Sequence, residues 1–274
     1  MSGVDLAILA ASLLGVGVIA GMMAGLLGIG GGIVMVPALF YVFTVLEVDS
    51  AVKMHLAVGT SLAVIVPTSL RSAVSHYRNG TVDIDLLRGL WPALLAGVMV
   101  GVALSAQVEG RTLSAIFGLI GLAVAVHMAR AAPLPKVTDR PPSRLGQHTI
   151  GGIVGALSTM MGIGGGTLSV PIFQALRFPM HRSVGTAAAI GCIISVPGTI
   201  GFVWAGMGVP DRPPFSVGYV SLLGFFLMVP TTVFFAPYGV KLAMRMNTMQ
   251  LRRAFAVFLF FTAILMLGRA LFDG

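Results

Sequence analysis

The stretch "GLLGIGGGIVMVPALF", residues 25–40, holds five glycines and one proline within a run that carries no charge. Each glycine in a helix interior costs about 1 kcal/mol relative to alanine, so the cluster predicts a break in an otherwise apolar helix. A second stretch, "MMGIGGGTLSVPIFQAL" at residues 160–176, has nearly the same pattern. Because the break occurs twice with the same pattern, it indicates a specific structural or functional role.

The composition places the chain in a lipid bilayer. Hydrophobic residues make up 57% of the 274 residues and charged residues only 9%, which is far from the usual mixture of a soluble domain. The single cysteine, Cys192, excludes internal disulfides and cysteine-based metal sites. Crossing a bilayer takes about 20 apolar residues. The stretches that approach this length are residues 4–27, 55–70, 86–106, 112–128, 149–161, 184–204, 216–235 and 254–271.

The chain contains one unit twice. Residues 28–32 read GIGGG and so do residues 162–166, 134 positions later, and the same shift separates Pro37 from Pro171. The tripeptide VGT follows in each half, at residues 58–60 and 184–186. A polar, proline-rich segment between the two copies is typical of a linker. The predicted organisation is a first membrane repeat at residues 1–130, a cytoplasmic linker at 131–148 and a second membrane repeat at 149–274.

The basic residues indicate how often the chain crosses the membrane. The apolar pieces after the two breaks, residues 33–46 and 167–176, would form helices about 21 and 15 Å long, against a hydrocarbon core of about 30 Å. If each short piece forms a hairpin with the segment before it, the 17 basic residues divide 13 to 4 between the two faces. If each short piece instead adds no crossing of its own, the 17 basic residues divide 8 to 9 between the two faces. The positive-inside rule favours the hairpins. The face with only four basic residues, called the sparse face below, then carries Lys53, Arg111, Arg212 and Arg269.

Five segments per unit is an odd number, so the second unit enters the membrane from the opposite side. The predicted fold is an all-α integral membrane protein with two inverted repeats. Each repeat has a glycine-broken helical hairpin, made of a long segment plus a half-helix, and three further spans. Both termini then lie outside the cytoplasm. Inverted repeats with interrupted helices are the architecture of secondary transporters, whose sites lie where the broken helices meet.

The two breaks predict a binding site for an anion. A helix that begins inside the membrane leaves N–H groups without partners and carries a partial positive charge at that end, and glycine lets a ligand reach those groups. Hydroxyl groups beside the breaks and after each "VG" supply further donors. Close helix packing is the alternative role for these small residues. The candidate substrate-binding residues are Gly30, Gly31, Gly32, Thr60, Ser61, Gly164, Gly165, Gly166, Thr167 and Thr186.

The acidic residues favour the same conclusion, because all nine lie at predicted segment ends or in loops. Transporters of cations, and many that use protons, keep a carboxylate within the membrane, so an anionic cargo is the simpler inference. The sequence has no metal-ligand spacing and no nucleophile with its base, which predicts no metal, no cofactor and no enzyme activity. The basic residues are scattered among the spans, which argues against a nucleic acid partner. An anion channel is an alternative, although inverted duplication favours alternating access.

Three longer stretches carry a resemblance to a known family. They are "AVGTSLAVIVPTSLRSAVSHYRNGTVD" at residues 57–83, "SVGTAAAIGCIISVPGTIGFVWAG" at 183–206 and "FAPYGVKLAMRMNTMQLRRAFAVFLF" at 235–260. Together with the glycine motifs, they resemble the sulfite exporter TauE/SafE family of integral membrane proteins. The resemblance implies transport of sulfur-containing anions across the bacterial inner membrane, commonly as export, with sulfite or a sulfonate such as sulfoacetate as cargo. The related thiosulfate importers use cysteines along the route, and this chain departs from them because it has only Cys192.

The predicted topology can be tested by cysteine labelling. With Cys192 replaced by alanine, a cysteine introduced as Ser143→Cys in the linker should resist a membrane-impermeant thiol reagent in intact cells and react after the membrane is opened. The reason is that only this count of crossings collects 13 of the 17 basic residues on the cytoplasmic face. Ready labelling from outside would contradict the topology.

Overall fold

Helices account for nearly all of the computed structural model, which describes residues 3–28, 30–130, 143–176, 178–210 and 212–272. These residues form ten α-helices and one short hairpin. The helices of the first half are α1 (Gly3–Leu27), α2 (Gly32–Val45), α3 (Ser50–Arg78), α4 (Ile84–Ser105) and α5 (Gly110–Ala129). Those of the second half are α6 (Arg144–Met160), α7 (Gly166–Ala175), α8 (Met180–Gly206), α9 (Leu222–Arg245) and α10 (Thr248–Phe272). The antiparallel strands β1 (Ser216–Val217) and β2 (Val220–Ser221) precede α9.

The structure confirms the predicted class, a helical membrane protein with five helices in each half. Among the described residues, six helices are long and apolar enough to cross a bilayer, namely α1, α3, α4, α5, α8 and α9. The two short helices, α2 with 14 residues and α7 with 10, follow the glycine motifs as predicted. Residues 131–142 of the predicted linker lie outside the described residues.

Several helix ends differ from the predicted ends because polar side chains cap the helices beyond their apolar cores. Helix α3 begins at Ser50 because the Asp49 carboxylate accepts a hydrogen bond from the N–H of Ala51 at 2.7 Å. Helix α6 begins inside the predicted linker, where the Ser143 hydroxyl accepts a hydrogen bond from the N–H of Gly146 at 3.2 Å. Residues 216–221, predicted as the start of a span, form the hairpin, so α9 begins only at Leu222.

The two halves pack against each other in matched pairs. Helix α1 packs most extensively against α9, and its counterpart α6 packs in the same way against α4. Helices α3 and α8 pack together in the middle, and α5 packs against α10. Exchanging the two halves leaves this set of pairs unchanged. The inverted orientation of the halves stays a prediction, but neither half forms a separate body.

Glycines bring the paired helices close together. A Cβ atom on Gly21 of α1 would lie 2.7 Å from the Cα atom of Thr232 in α9. In the matched pair, a Cβ atom on Gly155 of α6 would collide with the carbonyl oxygen of Leu94 in α4 and lie 3.2 Å from the Cα atom of Gly97. Helices within a bilayer gain little from hydrophobic burial against each other, so such backbone contact supplies much of their attraction. The geometry therefore assigns these glycines a role in helix packing.

Gly21→Leu should therefore separate α1 from α9 and lower the free energy of unfolding by about 1–3 kcal/mol or more, as overpacking does. The measurement is thermal unfolding of purified protein in detergent. The control is Gly15→Leu in the same helix, because a Cβ atom on Gly15 meets no described atom within 4 Å. Equal melting temperatures for the two variants would contradict the packing assignment.

Candidate functional site

The first glycine motif ends α1 and begins α2. Gly28, Gly30 and Gly31 have φ angles of 67°, 70° and 81°, in the left-handed region that side chains disfavour. Gly31 is the residue that precedes α2, and no described side chain caps it. The first hydrogen bonds of the helix run from the N–H groups of Val34 and Met35 to the Gly31 carbonyl, at 3.0 and 3.1 Å. The predicted helix break is confirmed.

The second glycine motif repeats this geometry between α6 and α7. Gly162 and Gly165 have φ angles of 66° and 82°. Gly165 precedes α7, again with no cap from a described side chain. Its carbonyl accepts hydrogen bonds from the N–H groups of Leu168 and Ser169, at 3.3 and 2.9 Å. Two positions 134 residues apart therefore start two half-helices in the same way.

The two breaks lie against each other in the core. A Cβ atom on Gly30 would lie 3.6 Å from the Cα atom of Gly164, and one on Gly32 would collide with the carbonyl oxygen of Gly162. The Ser61 hydroxyl of α3 donates a hydrogen bond to that same Gly162 carbonyl at 2.8 Å. The structure thus brings the predicted glycines and Ser61 to one place.

The first turn of α7 leaves hydrogen-bond donors without partners among the described residues. The N–H groups of Gly166 and Thr167 have no acceptor there. The hydroxyl of Thr167 has no partner there either, and the residue is only 1% exposed. Buried polar groups without partners are rare, and an anion at a helix N-terminus supplies the missing acceptors.

Thr60 and Thr186 have matched structural partners. The Thr60 hydroxyl accepts a hydrogen bond from the N–H of Ser221, which caps α9, at 2.8 Å. The Thr186 hydroxyl accepts one from the N–H of Asp83, which caps α4, at 2.9 Å. Both hydroxyls therefore fasten the start of a helix. A further role for them in binding stays a prediction.

Three further buried hydroxyls, those of Ser158, Ser169 and Ser195, were not predicted and have no partner among the described residues. They lie on α6, α7 and α8, the helices that flank the second break. The first repeat has Met35 where the second has Ser169, 134 residues later. A comparison of the two repeats, position by position, would have identified the second break as the more polar one.

Two histidines lie at equivalent positions of the two repeats, and this match was not predicted. Residues 54–60 and 180–186 share the pattern Met-His-x-x-Val-Gly-Thr, which extends the VGT match. The Nδ1 atoms of His55 and His181 are both buried without a partner in the described structure. The Nε2 atom of His55 lies 3.0 Å from the carbonyl oxygen of Ser105 and 3.1 Å from that of Val108. Nε2 therefore carries the ring proton and donates a hydrogen bond that these two carbonyl oxygens share.

A cavity of about 710 Å³ lies at the end of the protein where α3 begins. Its lining includes Lys53, His55 and Arg111, together with Tyr219 from the turn of the hairpin. Burial raises the pKa of the Tyr219 phenol, and the charge of Arg212 partly offsets that rise. Lys53, Arg111 and Arg212 are three of the four basic residues that the charge count places on the sparse face. Their grouping agrees with that count.

Three of the described carboxylates lie at the starts of helices. Asp49, Asp83 and Glu109 precede α3, α4 and α5, where a negative charge favours the N-terminus of a helix. Asp83 also pairs with Arg182 at 2.8 Å. No group of three or more potential metal ligands occurs among the residues that the structure describes. The chemistry available at the breaks is therefore hydrogen-bond donation from backbone and hydroxyl groups.

The apolar helices that the structure describes, with two half-helices whose N-termini meet in the core, define a multi-pass membrane protein built like a transporter. The model of the sulfite exporter TauE/SafE family matches residues 13–266, and the chain belongs to this family. The match covers both repeats and all of the predicted site residues.

Relatives from bacteria and an archaeon carry the name "probable membrane transporter protein". One from Haemophilus influenzae is 32% identical over 91% of this chain and 94% of its own length. Another, from Methanocaldococcus jannaschii, is 27% identical over 86% of this chain and 87% of its own length. A third, YunE of Bacillus subtilis, is 29% identical over 85% and 88%. No solved structure matches the chain.

The structural role of the two threonines can be measured. Thr60→Val and Thr186→Val should each lower the free energy of unfolding by about 1–3 kcal/mol, because the first leaves a buried N–H group and the second a partly buried N–H group without its acceptor. The control is Thr199→Val in α8, where the hydroxyl bonds only to the Ser195 carbonyl of its own helix. Melting temperatures that fall no further for Thr60→Val and Thr186→Val than for the control would contradict this assignment.

Proposed function

We propose that the protein is a secondary transporter of sulfur-containing anions, such as sulfite, sulfoacetate or another organosulfonate. It exports them across the bacterial inner membrane by alternating access. The observation that carries the proposal is the contact between the two glycine breaks that start the half-helices, next to N–H groups of α7 and a buried Thr167 hydroxyl that have no partner among the described residues. The name of the family supports sulfite as a member of the substrate class.

The charge at the breaks suits a small anion. Each helix N-terminus carries about half a positive charge, so the two together balance about one negative charge. The described residues nearest to the glycines of the breaks are uncharged, so no neighbouring carboxylate opposes an anion there. Oxygen atoms of a sulfite or sulfonate group would accept hydrogen bonds from backbone N–H groups and from Thr167. The cargo is thus held by dipoles and hydroxyls, which predicts modest affinity and tolerance of related oxyanions.

The contact between the breaks favours alternating access over an open channel. With the Cβ position of Gly30 only 3.6 Å from the Cα atom of Gly164, the two motifs are in contact and leave no open passage between these two residues in this conformation. Cargo therefore needs a rearrangement of the helices to pass, as in transporters with inverted repeats. Import of thiosulfate through a relay of cysteines is disfavoured, because Cys192 is the single cysteine and receives a hydrogen bond from Ser69.

Flux from proteoliposomes tests the proposal. Purified protein should accelerate the release of trapped sulfite, and external sulfite or sulfoacetate should exchange with it, while sodium and a neutral sugar stay inside. Thr167→Val should weaken anion binding roughly tenfold, the effect of one hydrogen bond to a charged group. It should not lower stability, since no partner is lost. The control is Thr44→Val, at the far end of the other half-helix, where the hydroxyl bonds to the Phe40 carbonyl of the same helix.

Two results would count against the proposal. Release at the rate of empty liposomes for every sulfur anion, together with movement of a cation or a neutral solute, would remove the cargo assignment. Equal anion affinity in Thr167→Val and Thr44→Val would remove the half-helix site while leaving the transport of sulfur anions standing.

A further inference from the structure

A second cavity, of about 720 Å³, lies between α3 and α9 and has no part in the site described above. Its wall includes Pro67 of α3 and both Pro230 and Pro237 of α9. A proline inside a helix lacks the N–H donor and its ring pushes against the preceding turn, so the helix bends. Three prolines on facing helices line the groove at the point where such bends would separate the two helices.

The groove opens towards lipid. Phe234 and Tyr238 line it and are 61% and 48% exposed, on the surface of helices that cross the bilayer. Val229 and Val233 continue the apolar wall along α9. In a membrane, the medium that fills such a groove is the acyl chain of a lipid rather than water.

Two cations stand in the same groove. Arg71 of α3 and Lys241 of α9 both line it, and both are exposed. The Lys241 ammonium lies 5.4 Å from the centre of the Tyr238 ring, so it is held at the edge of the apolar wall. The described lining contains no acidic residue, which leaves a charge of +2 without a counter-charge in the wall. Both cations belong to the face on which the charge count places 13 basic residues.

We infer that this groove binds one anionic phospholipid. Its acyl chain lies along the prolines and Phe234, and its phosphate lies between Arg71 and Lys241. Basic pockets between membrane helices favour anionic lipid headgroups, at about 1 kcal/mol for each cation near the surface. A zwitterionic lipid carries its own cationic group next to the phosphate, so it gains less binding free energy from Arg71 and Lys241. A free phosphate ester has the charge but nothing to fill the apolar wall.

The experiment compares binding of pyrene-labelled phosphatidylglycerol and phosphatidylcholine to the purified full-length protein in detergent. The wild-type protein should prefer phosphatidylglycerol by roughly tenfold to thirtyfold. The double variant Arg71→Gln with Lys241→Gln should bind the two lipids equally. The matched control, Arg78→Gln with Arg245→Gln, removes two exposed cations from the same ends of α3 and α9 but outside the groove, and should keep the preference.

A third variant tests the apolar wall. Val233→Trp should reduce the binding of both lipids by filling the groove, with both cations intact. An equal loss of preference in the two double variants would overturn the inference, because it would show general attraction to a basic surface. No preference in the wild-type protein, unchanged binding in Val233→Trp, or displacement of the lipid by glycerol 3-phosphate at equal concentration would each overturn it as well.

Discussion

Hydrocarbon offers no hydrogen bond to a polypeptide backbone, and the rest of this structure depends on that constraint. A helix can be broken inside a bilayer only where protein or ligand surrounds the break. Here each break lies against the other, with Gly30 next to Gly164 and Gly32 against the Gly162 carbonyl. The Ser61 hydroxyl gives that carbonyl a partner. Among the described residues, the donors left over belong to the first turn of α7, and an anion at a helix N-terminus satisfies such donors.

The same constraint explains the duplicated VGT tripeptide. The segment that leads into α9 passes directly over the glycine of the first VGT, and the segment that leads into α4 passes directly over the glycine of the second. A Cβ atom on Gly59 would collide with the Tyr219 carbonyl oxygen, and one on Gly185 would lie 2.5 Å from the Thr81 carbonyl oxygen. The following threonine, Thr60 or Thr186, then accepts the N–H of the residue that caps the helix. Glycine gives room for the passing backbone and threonine gives it a hydrogen bond, so the motif joins the two halves.

Sequence patterns identified the features that depend on local chemistry. The glycine motifs predicted both breaks, because several glycines close together destabilise a helix whatever surrounds it. The number and order of the helices followed from apolar segment lengths and the distribution of charge. The helix ends at Asp49 and Ser143 were missed because a cap extends a helix beyond its apolar residues. The partners of Thr60 and Thr186 come from the opposite half of the chain, so no local pattern specifies them. The unpaired hydroxyls of Ser158, Ser169 and Ser195 are visible only once the surrounding helices are in place.

Helices of one half have their main partners in the other half, and this affects how the protein is synthesised. Helix α1 ends at Leu27, but its main partner α9 begins only at Leu222, and α4 waits in the same way for α6. A nascent first repeat therefore enters the membrane with glycine-lined faces on α1 and α4 that nothing in that repeat covers. The face on α4 can close once α6 has been made, but the face on α1 stays open until the ribosome has completed most of the second repeat. A gene fragment that encodes one repeat alone would yield helices able to insert but without their partners, so the two copies persist as one chain whose halves complete each other.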